Sequence, residues 1–467
     1  MLILAACGGP REAAREVPPF SPECVLLPPP PSAADTLSVA LLDRVDPRNA
    51  PAATNPGEEL VFAQFYEALT TADCLGEARP ALATSWDRDA SGIRWTFHLD
   101  RNARYWDGTL VAAADFANRY GEPSVLPSID SLVARCDHVL DVYFHSPHHD
   151  DGPPQVTSRM FGAKESDSWS IGSGRLAPID RTAKAIVSGP GGQHEGTEAK
   201  TYVTFFEYAG TDPRDVLARQ VDLLVTSDPM AVEYAASQAR LVTRPLPWDR
   251  TYLLVSRSRF DALRAGETVG EIGAEQLRTL ARDAVRVDAR GHDRTGWWAD
   301  FDDCRTVGSA APGDLPRPLE PARHGLVIYE KTDPVAGRLA ERVVALAAGG
   351  GATDPGLHHA IPRLSELALA TQALEPSEMS ERLRTGQDFL YVVSLPLRPP
   401  DPCTAGTQFL ERAPWLAHLG NDFGGATIGL VDTRRHVIAD SSRVGVVVDW
   451  FGGIRIITEK MQGDRAP

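Results

Sequence analysis

Arg79-Pro80-Ala81-Leu82-Ala83-Thr84-Ser85-Trp86, Ile93-Arg94-Trp95-Thr96-Phe97-His98-Leu99 and Tyr105-Trp106-Asp107-Gly108-Thr109 follow one another over residues 79–109. In the middle segment Ile93, Trp95, Phe97 and Leu99 alternate with Arg94, Thr96 and His98. A side-chain period of two places every apolar group on one face, so the segment predicts a half-buried strand. Ser91-Gly92 before it and Asp107-Gly108 after it predict tight turns, because glycine takes a positive φ without a Cβ penalty.

Outward from this stretch the same logic assigns the neighbours. Leu37-Ser38-Val39-Ala40-Leu41-Leu42 predicts a first strand. Asn55-Pro56-Gly57-Glu58 predicts a helix start, with a capping side chain, proline at the first helical position and a glutamate two residues further on. Val61, Phe65, Ala68 and Leu69 supply that helix with an apolar face, and 112–120 predicts a second helix. Downstream, 201–208, 221–225, 251–256, 325–329, 389–394 and 445–449 predict strands, and Asp212-Pro213 and Asp333-Pro334 open helices, the latter over 335–348. Alternation of strands and helices makes the class α/β. Residues 188–198 and 307–321 predict surface insertions or connections between lobes.

The 467 residues suffice for two or three lobes, and 43% hydrophobic with 24% charged residues is ordinary globular composition. Forty-seven basic against 63 acidic residues leave a formal charge of −16. Nucleic acid is excluded as a partner, because displacing counterions from phosphates requires a basic face. No segment approaches the roughly 20 apolar residues that span a bilayer. The six cysteines, Cys7, Cys24, Cys74, Cys136, Cys304 and Cys403, form no CxxC pair, so zinc and thioredoxin-like chemistry have no support. Disulfides Cys74–Cys136 and Cys304–Cys403 or buried free thiols are the two readings.

Taken in order, residues 61–117 resemble bacterial solute-binding protein family 5, which serves peptide, nickel and opine ABC importers. Phe65-Tyr66-Glu67-Ala68-Leu69 resembles a helix of that family, and Arg79 to Trp86, Trp95 to Ala103 and Tyr105 to Thr109 with Ala114-Asp115-Phe116 resemble its following blocks. Ile171-Gly172-Ser173-Gly174 is a weaker echo, with Arg175-Leu176 where the family has Pro-Tyr. The resemblance implies a periplasmic-binding-protein-like (type II) α/β fold of two large lobes with hinge strands and a small extra lobe. Carried onto this chain, lobe I comprises 37–58, 171–256 and 426–467, the extra lobe 59–170, and lobe III 257–425. Leu4-Ala5-Ala6-Cys7 resembles a lipobox, so 1–36 is read as its remnant, lipidated at Cys7, followed by a proline-rich tether.

The implied function is that of an extracytoplasmic solute-binding protein, in the periplasm or at the cell surface. It would hold a small-molecule or peptide-like ligand in an interlobe cleft and deliver it to ABC permease membrane subunits. The protein is expected to be a monomer that touches the membrane only through a lipid anchor, uses no cofactor or metal and catalyses nothing. In peptide-binding members an aspartate in a cleft segment pairs with the peptide amine. Here Leu395 to Pro402, aligned on Asp401-Pro402, places Arg398 at that position. A cation there opposes a free amine and favours a carboxylate or phosphate. Trp248, Tyr252 and Trp415 are candidate stacking aromatics, with core packing as the alternative for each.

Other readings find less footing. His145-Ser146-Pro147-His148-His149-Asp150-Asp151 carries metal-ligating types, but it runs into Gly152-Pro153-Pro154 and reads as a solvated loop. His358-His359 cannot present two ligands from one helix face. The G-x-S-x-G, H-E-x-x-H and P-loop signatures are absent, which leaves a secreted hydrolase distant. A ligand sensor or assembly protein on the same fold is the nearer alternative.

Overall fold

The computed structural model describes residues 21–30, 34–120, 129–145, 147, 163–164, 169–190, 201–247, 250–256, 274–285, 324–349, 368–386, 390–396, 413, 427–449 and 453–457. The chain forms two compact units: 1–226, 234–244 and 437–467 make unit 1, and 227–233 with 245–436 make unit 2. Strand Arg250–Ser256, expected with lobe I, contributes to the sheet of unit 2.

In unit 1 a seven-stranded sheet runs Leu176–Arg181, Ala185–Pro190, Tyr202–Glu207, Thr36–Leu41, Leu223–Thr226, His436–Ala439 and Val242–Pro245. Tyr202–Glu207 and Leu223–Thr226 both pair in parallel with Thr36–Leu41, as connections through helices allow. Ser188–Pro190, read above as part of a surface insertion, ends the second of these strands, and Ser188 is buried with its hydroxyl on the Val203 carbonyl at 2.8 Å.

The segment that opened the reading forms an antiparallel sheet ordered Ala83–Arg88, Arg94–Leu99, Val139–Phe144 and Ile129–Cys136. Trp95, Phe97 and Leu99 are buried and Arg94, Thr96 and His98 partly exposed, as the alternation requires, whereas Ile93, expected on the same face, precedes the strand and is exposed. Each buried apolar side chain contributes about 1.5–3 kcal/mol of transfer free energy. Helix Ala113–Tyr120 covers this sheet through Phe116, and Gly92 and Gly108 turn the chain at φ 70° and 80°.

Two expectations are corrected in the N-terminal part. Helix Pro56–Phe65 is capped by Asn55, whose side chain accepts from the Glu58 N–H, but it stops at Phe65. Tyr66 is extended, so Ala68 and Leu69 are buried outside the helix, in the core of the four-stranded sheet for Leu69. The reason lies further along the chain of unit 1. Gly172 and Gly174 press against the last helical carbonyls, where a Cβ on Gly174 would lie 2.5 Å from the Gln64 and Phe65 oxygens. The Gly174 N–H donates to the Phe65 carbonyl, which ends the helix by giving that carbonyl an outside partner.

The proline-rich tether also ends earlier than expected. Val25–Leu27 is a strand antiparallel to Gly445–Val448, which pairs in turn with Ile454–Ile457. Cys24 is fully buried and disulfide-bonded to Cys74, which overturns the pairing of Cys74 with Cys136; Cys136 is disulfide-bonded as well. Cys304 and Cys403 lie outside the described residues. Pro29 packs its backbone on Gly445, where a Cβ would lie 2.7 Å from the Pro29 Cα. A disulfide closing fifty residues and three buried side chains hold what composition alone marks as a spacer.

Unit 2 is built on a five-stranded sheet ordered Ala368–Leu374, His324–Glu330, Leu390–Pro396, Arg250–Ser256 and Thr427–Thr433. The first three are parallel, and Arg250–Ser256 is antiparallel to both of its neighbours. Helices Ala274–Val285 and Pro334–Gly349 pack Leu277, Ala281, Val335, Leu339 and Val343 onto Leu254, Val327 and Val392. Among the described residues no helix is long and apolar enough to cross a membrane.

Candidate functional site

In α/β sheets, ligands gather outside the carboxyl ends of parallel strands, where loops and helix N-termini leave polar groups unspent. Each unit is organised at that edge by a carboxylate. In unit 1 the strand Thr36–Leu41 runs into a loop built around Glu58, which is 1% exposed. Its Oε1 accepts from the Asp46 N–H at 3.0 Å and the Asn49 amide at 2.8 Å; its Oε2 accepts from the Thr54 N–H at 2.7 Å and hydroxyl at 2.8 Å. Glu58 therefore reaches out to the loop rather than back to the Asn55 N–H as a capping box would. Glu207, at the end of the adjacent strand, accepts from the Val45 N–H at 2.9 Å and from Arg181 at 3.3 Å, and Arg181 lies over the Trp169 ring.

In unit 2 the corresponding carboxylate is Asp333, which follows the strand His324–Glu330 and caps the helix Pro334–Gly349. Its Oδ1 accepts from the Val335 and Ala336 N–H groups at 3.1 and 3.0 Å. Tyr252 donates its hydroxyl to both Asp333 oxygens at 3.1 Å. Arg250 brings a guanidinium to 3.8 Å from Asp333 and donates to the Ser394 hydroxyl at 2.9 Å, with a third of its side chain exposed. A cation, a serine hydroxyl and a helix N-terminus thus stand together at one strand end, a donor-rich arrangement suited to an anionic group.

Of the sequence-predicted residues, Tyr252 is described and takes the core-packing alternative. The ring is 1% exposed in the core of unit 2, so it cannot stack on a ligand; its hydroxyl positions Asp333 instead. Arg398, Asp401, Trp248, Trp415 and the lipidation candidate Cys7 lie outside the described residues. The strand ends nearest two of them in sequence are nevertheless register partners: Arg250, two residues after Trp248, pairs with Pro396, two residues before Arg398. Arg250, Asp333 and Ser394 were not singled out as site residues. Asp333-Pro334 marks a helix start in sequence, but nothing local reveals that two other strands bring an arginine and a serine beside it.

At the opposite end of the unit 1 sheet, a cavity of about 360 Å³ is lined by Ser38, Asp222, Arg240 and Arg443 among others. Asp222 accepts from the Ser38 N–H and hydroxyl, both at 2.8 Å, and pairs with Arg443 at 2.6 Å. Arg240 donates to the Val221 and Leu217 carbonyls. These groups satisfy one another and cross-link strand starts. His145 lies 3.6 Å from Asp130, and among the described residues no three His, Cys, Asp or Glu side chains gather as metal ligands.

An α/β chain with parallel strands in both units, Arg250–Ser256 running antiparallel between two strands of unit 2, and an accessory four-stranded sheet has the periplasmic-binding-protein-like fold. Within that class its fold is that of the family 5 solute-binding proteins. The structure of NikA from Brucella suis in complex with Fe(III)-EDTA matches 90% of this chain and 99% of its own, with TM-score 0.62 and 16% identity. The substrate-binding domain of an oligopeptide ABC transporter from Bacillus anthracis matches 92% of this chain and 100% of its own, with TM-score 0.60 and 12% identity. In sequence, the chain is 39% identical over 77 residues to the periplasmic oligopeptide-binding protein OppA of Escherichia coli strain K12, which is 16% of this chain and 14% of that protein's length. No family model matches the chain. By their names, OppA is an oligopeptide-binding protein and the Bacillus anthracis chain a substrate-binding domain.

Proposed function

We propose that this chain is an extracytoplasmic solute-binding protein of an ABC importer, which captures a small anionic ligand and passes it to a membrane permease. The likeness of fold across 90% of the chain to NikA, bound there to Fe(III)-EDTA, carries the reading. The carboxyl edge of unit 2 supplies the chemistry, with Arg250 partly exposed beside Ser394 and the capped helix. Arg398, in the segment that leaves the same strand, adds a second cation to this reading. A free peptide amine placed among these groups meets like charge, whereas a carboxylate or phosphate finds donors. On this reading residues 59–170 form the family's small extra lobe, and Cys7 carries the lipid that keeps a monomeric protein at the membrane. No step of chemistry on the ligand is assigned.

Native mass spectrometry of the purified protein, followed by thermal melts with the ligand it retains, tests this. A ligand present at a hundred times its Kd adds about 2.7 kcal/mol of stability. Arg398→Asp is expected to abolish that gain. Tight binding of simple di- and tripeptides, or an unchanged gain in Arg398→Asp, overturns the anionic assignment.

A further inference from the structure

Unit 1 has a feature that the solute-binding reading does not use. The cavity of about 360 Å³ toward the amino ends of its strands is floored by Thr36, Ser38, Thr204 and Phe206, which share one face of two adjacent parallel strands. Asp222 is spent on Ser38 and Arg443, and Arg240 on two backbone carbonyls. Other lining groups are not spent. Among the described residues the Gln220 amide and the Thr36 and Thr204 hydroxyls make no hydrogen bond. Asp440 uses only Oδ1, on the Ser442 N–H and hydroxyl, and keeps Oδ2. Gln220 and Thr36 are exposed and Thr204 and Asp440 half-buried.

Gln220 carries the stronger sign. Its φ is 59°, and among the described residues it is the only non-glycine at a positive φ. Gly210 and Gly386 take that conformation without strain, whereas a glutamine there costs stability. The side chain gained at that cost lines the cavity. Two arginines and two aspartates leave the lining without net charge, which favours an uncharged ligand over an ion. The unspent groups include both donors and acceptors, the complement of hydroxyls, each of which does both. Phe206, stacked on Tyr208 with ring centroids 6.2 Å apart, adds an apolar wall suited to the C–H face of a sugar ring. We propose that this cavity is a second ligand site, which takes one hexose ring and is separate from the Arg250–Asp333–Ser394 edge of unit 2. Its volume lies at the small end of ligand pockets, so it holds one ring rather than a chain.

The test adds glucose, galactose and mannose separately to the full chain and reads saturation transfer to the sugar protons. The side-chain amide resonance of Gln220, assigned with Gln220→Gly, reports the site. At least one hexose is expected to bind saturably and to move that resonance. Gln220→Gly is expected to raise Tm by relieving strain while sugar affinity falls about three- to tenfold, the loss of a neutral hydrogen bond. Phe206→Leu also weakens binding, and Arg250→Ala leaves it intact, which separates this site from the strand-end reading. The methyl glycoside of the responding hexose distinguishes two sources of the same ring: retained binding assigns the end of a glycan, and lost binding a free sugar. No saturable response to any of the three hexoses, or equal affinity in Gln220→Gly and the parent, overturns the proposal. A response to acetate or phosphate with none to a hexose overturns the choice of an uncharged ligand.

Discussion

The two units stabilise the carboxyl ends of their sheets in opposite ways. In unit 1, Glu58 is enclosed by four donors, two backbone N–H groups, an amide and a hydroxyl, all supplied by its own loop. In unit 2, Asp333 is satisfied by a helix terminus and Tyr252, while the cation at 3.8 Å keeps a third of its side chain in solvent. One edge spends its charge on holding a loop; the other keeps charge at the surface. The first edge is thus closed on its own loop, whereas the proposed function places ligand recognition at the second, and substitutions in each should separate these roles.

The largest effect should break unit 1 without touching unit 2. A Cβ on Gly174 would lie 2.3 Å from the Phe65 carbonyl carbon, among backbone atoms that cannot swing away. Gly174→Ala is expected to cost more than about 3 kcal/mol, since overpacking against backbone has no relaxed alternative. Gly108→Ala meets nothing within 4 Å and pays only for its φ of 80°, about 1 kcal/mol. Calorimetry should show the early loss of one transition in Gly174→Ala while the transition of unit 2 holds. A single unchanged melt refutes the account of how helix Pro56–Phe65 is terminated.

The edge carboxylates come next. Glu58→Ala strands four donors in a site that is 1% exposed, and is expected to cost about 3 kcal/mol in urea denaturation. Asp333→Ala removes a helix cap and the Tyr252 partner, worth about 2 kcal/mol together. The comparison sharpens if Glu58→Ala leaves ligand affinity per folded molecule unchanged while Asp333→Ala weakens it. It breaks if the two variants behave alike.

How much of this was legible in the sequence follows from the range of each interaction. The strand at Arg94–Leu99 declares itself because its pattern is local, and helix starts at Asp212-Pro213 and Asp333-Pro334 declare themselves through cap and proline. Strand Val25–Leu27 does not, because three residues among prolines carry no periodicity and their partner lies beyond residue 440. The early stop of helix Pro56–Phe65 depends on glycines more than a hundred residues away. The site divides likewise. The segment after Ser394 was found through resemblance, whereas Arg250 and Asp333 become partners only when strand register joins them. For Tyr252 the core-packing alternative holds, since a phenol can bury its ring and use only its hydroxyl.

The smallest expected effect concerns a motif that both ends of unit 1 share. Asp46-Pro47-Arg48 and Asp212-Pro213-Arg214 each start a helical turn, with the aspartate accepting the arginine's backbone N–H and its guanidinium. Hydrogen bonds from the Arg48 and Arg214 side chains, then from their backbone N–H groups, hold both carboxyls down at about 2. A folded pKa below the ordinary value near 3.8 means that the folded state favours the ionised form. The contribution is complete above that ordinary value and is lost as pH falls through about 2. Both caps are exposed, so solvent screening leaves little to lose, and Asp212→Asn should flatten the acid limb of the stability curve only slightly. Carboxyl carbon titration by NMR resolves the two groups directly. Midpoints near 2 that rise with added salt support paired caps on the exposed rim, whereas midpoints near 3.8 would show that neither arginine is held there in solution.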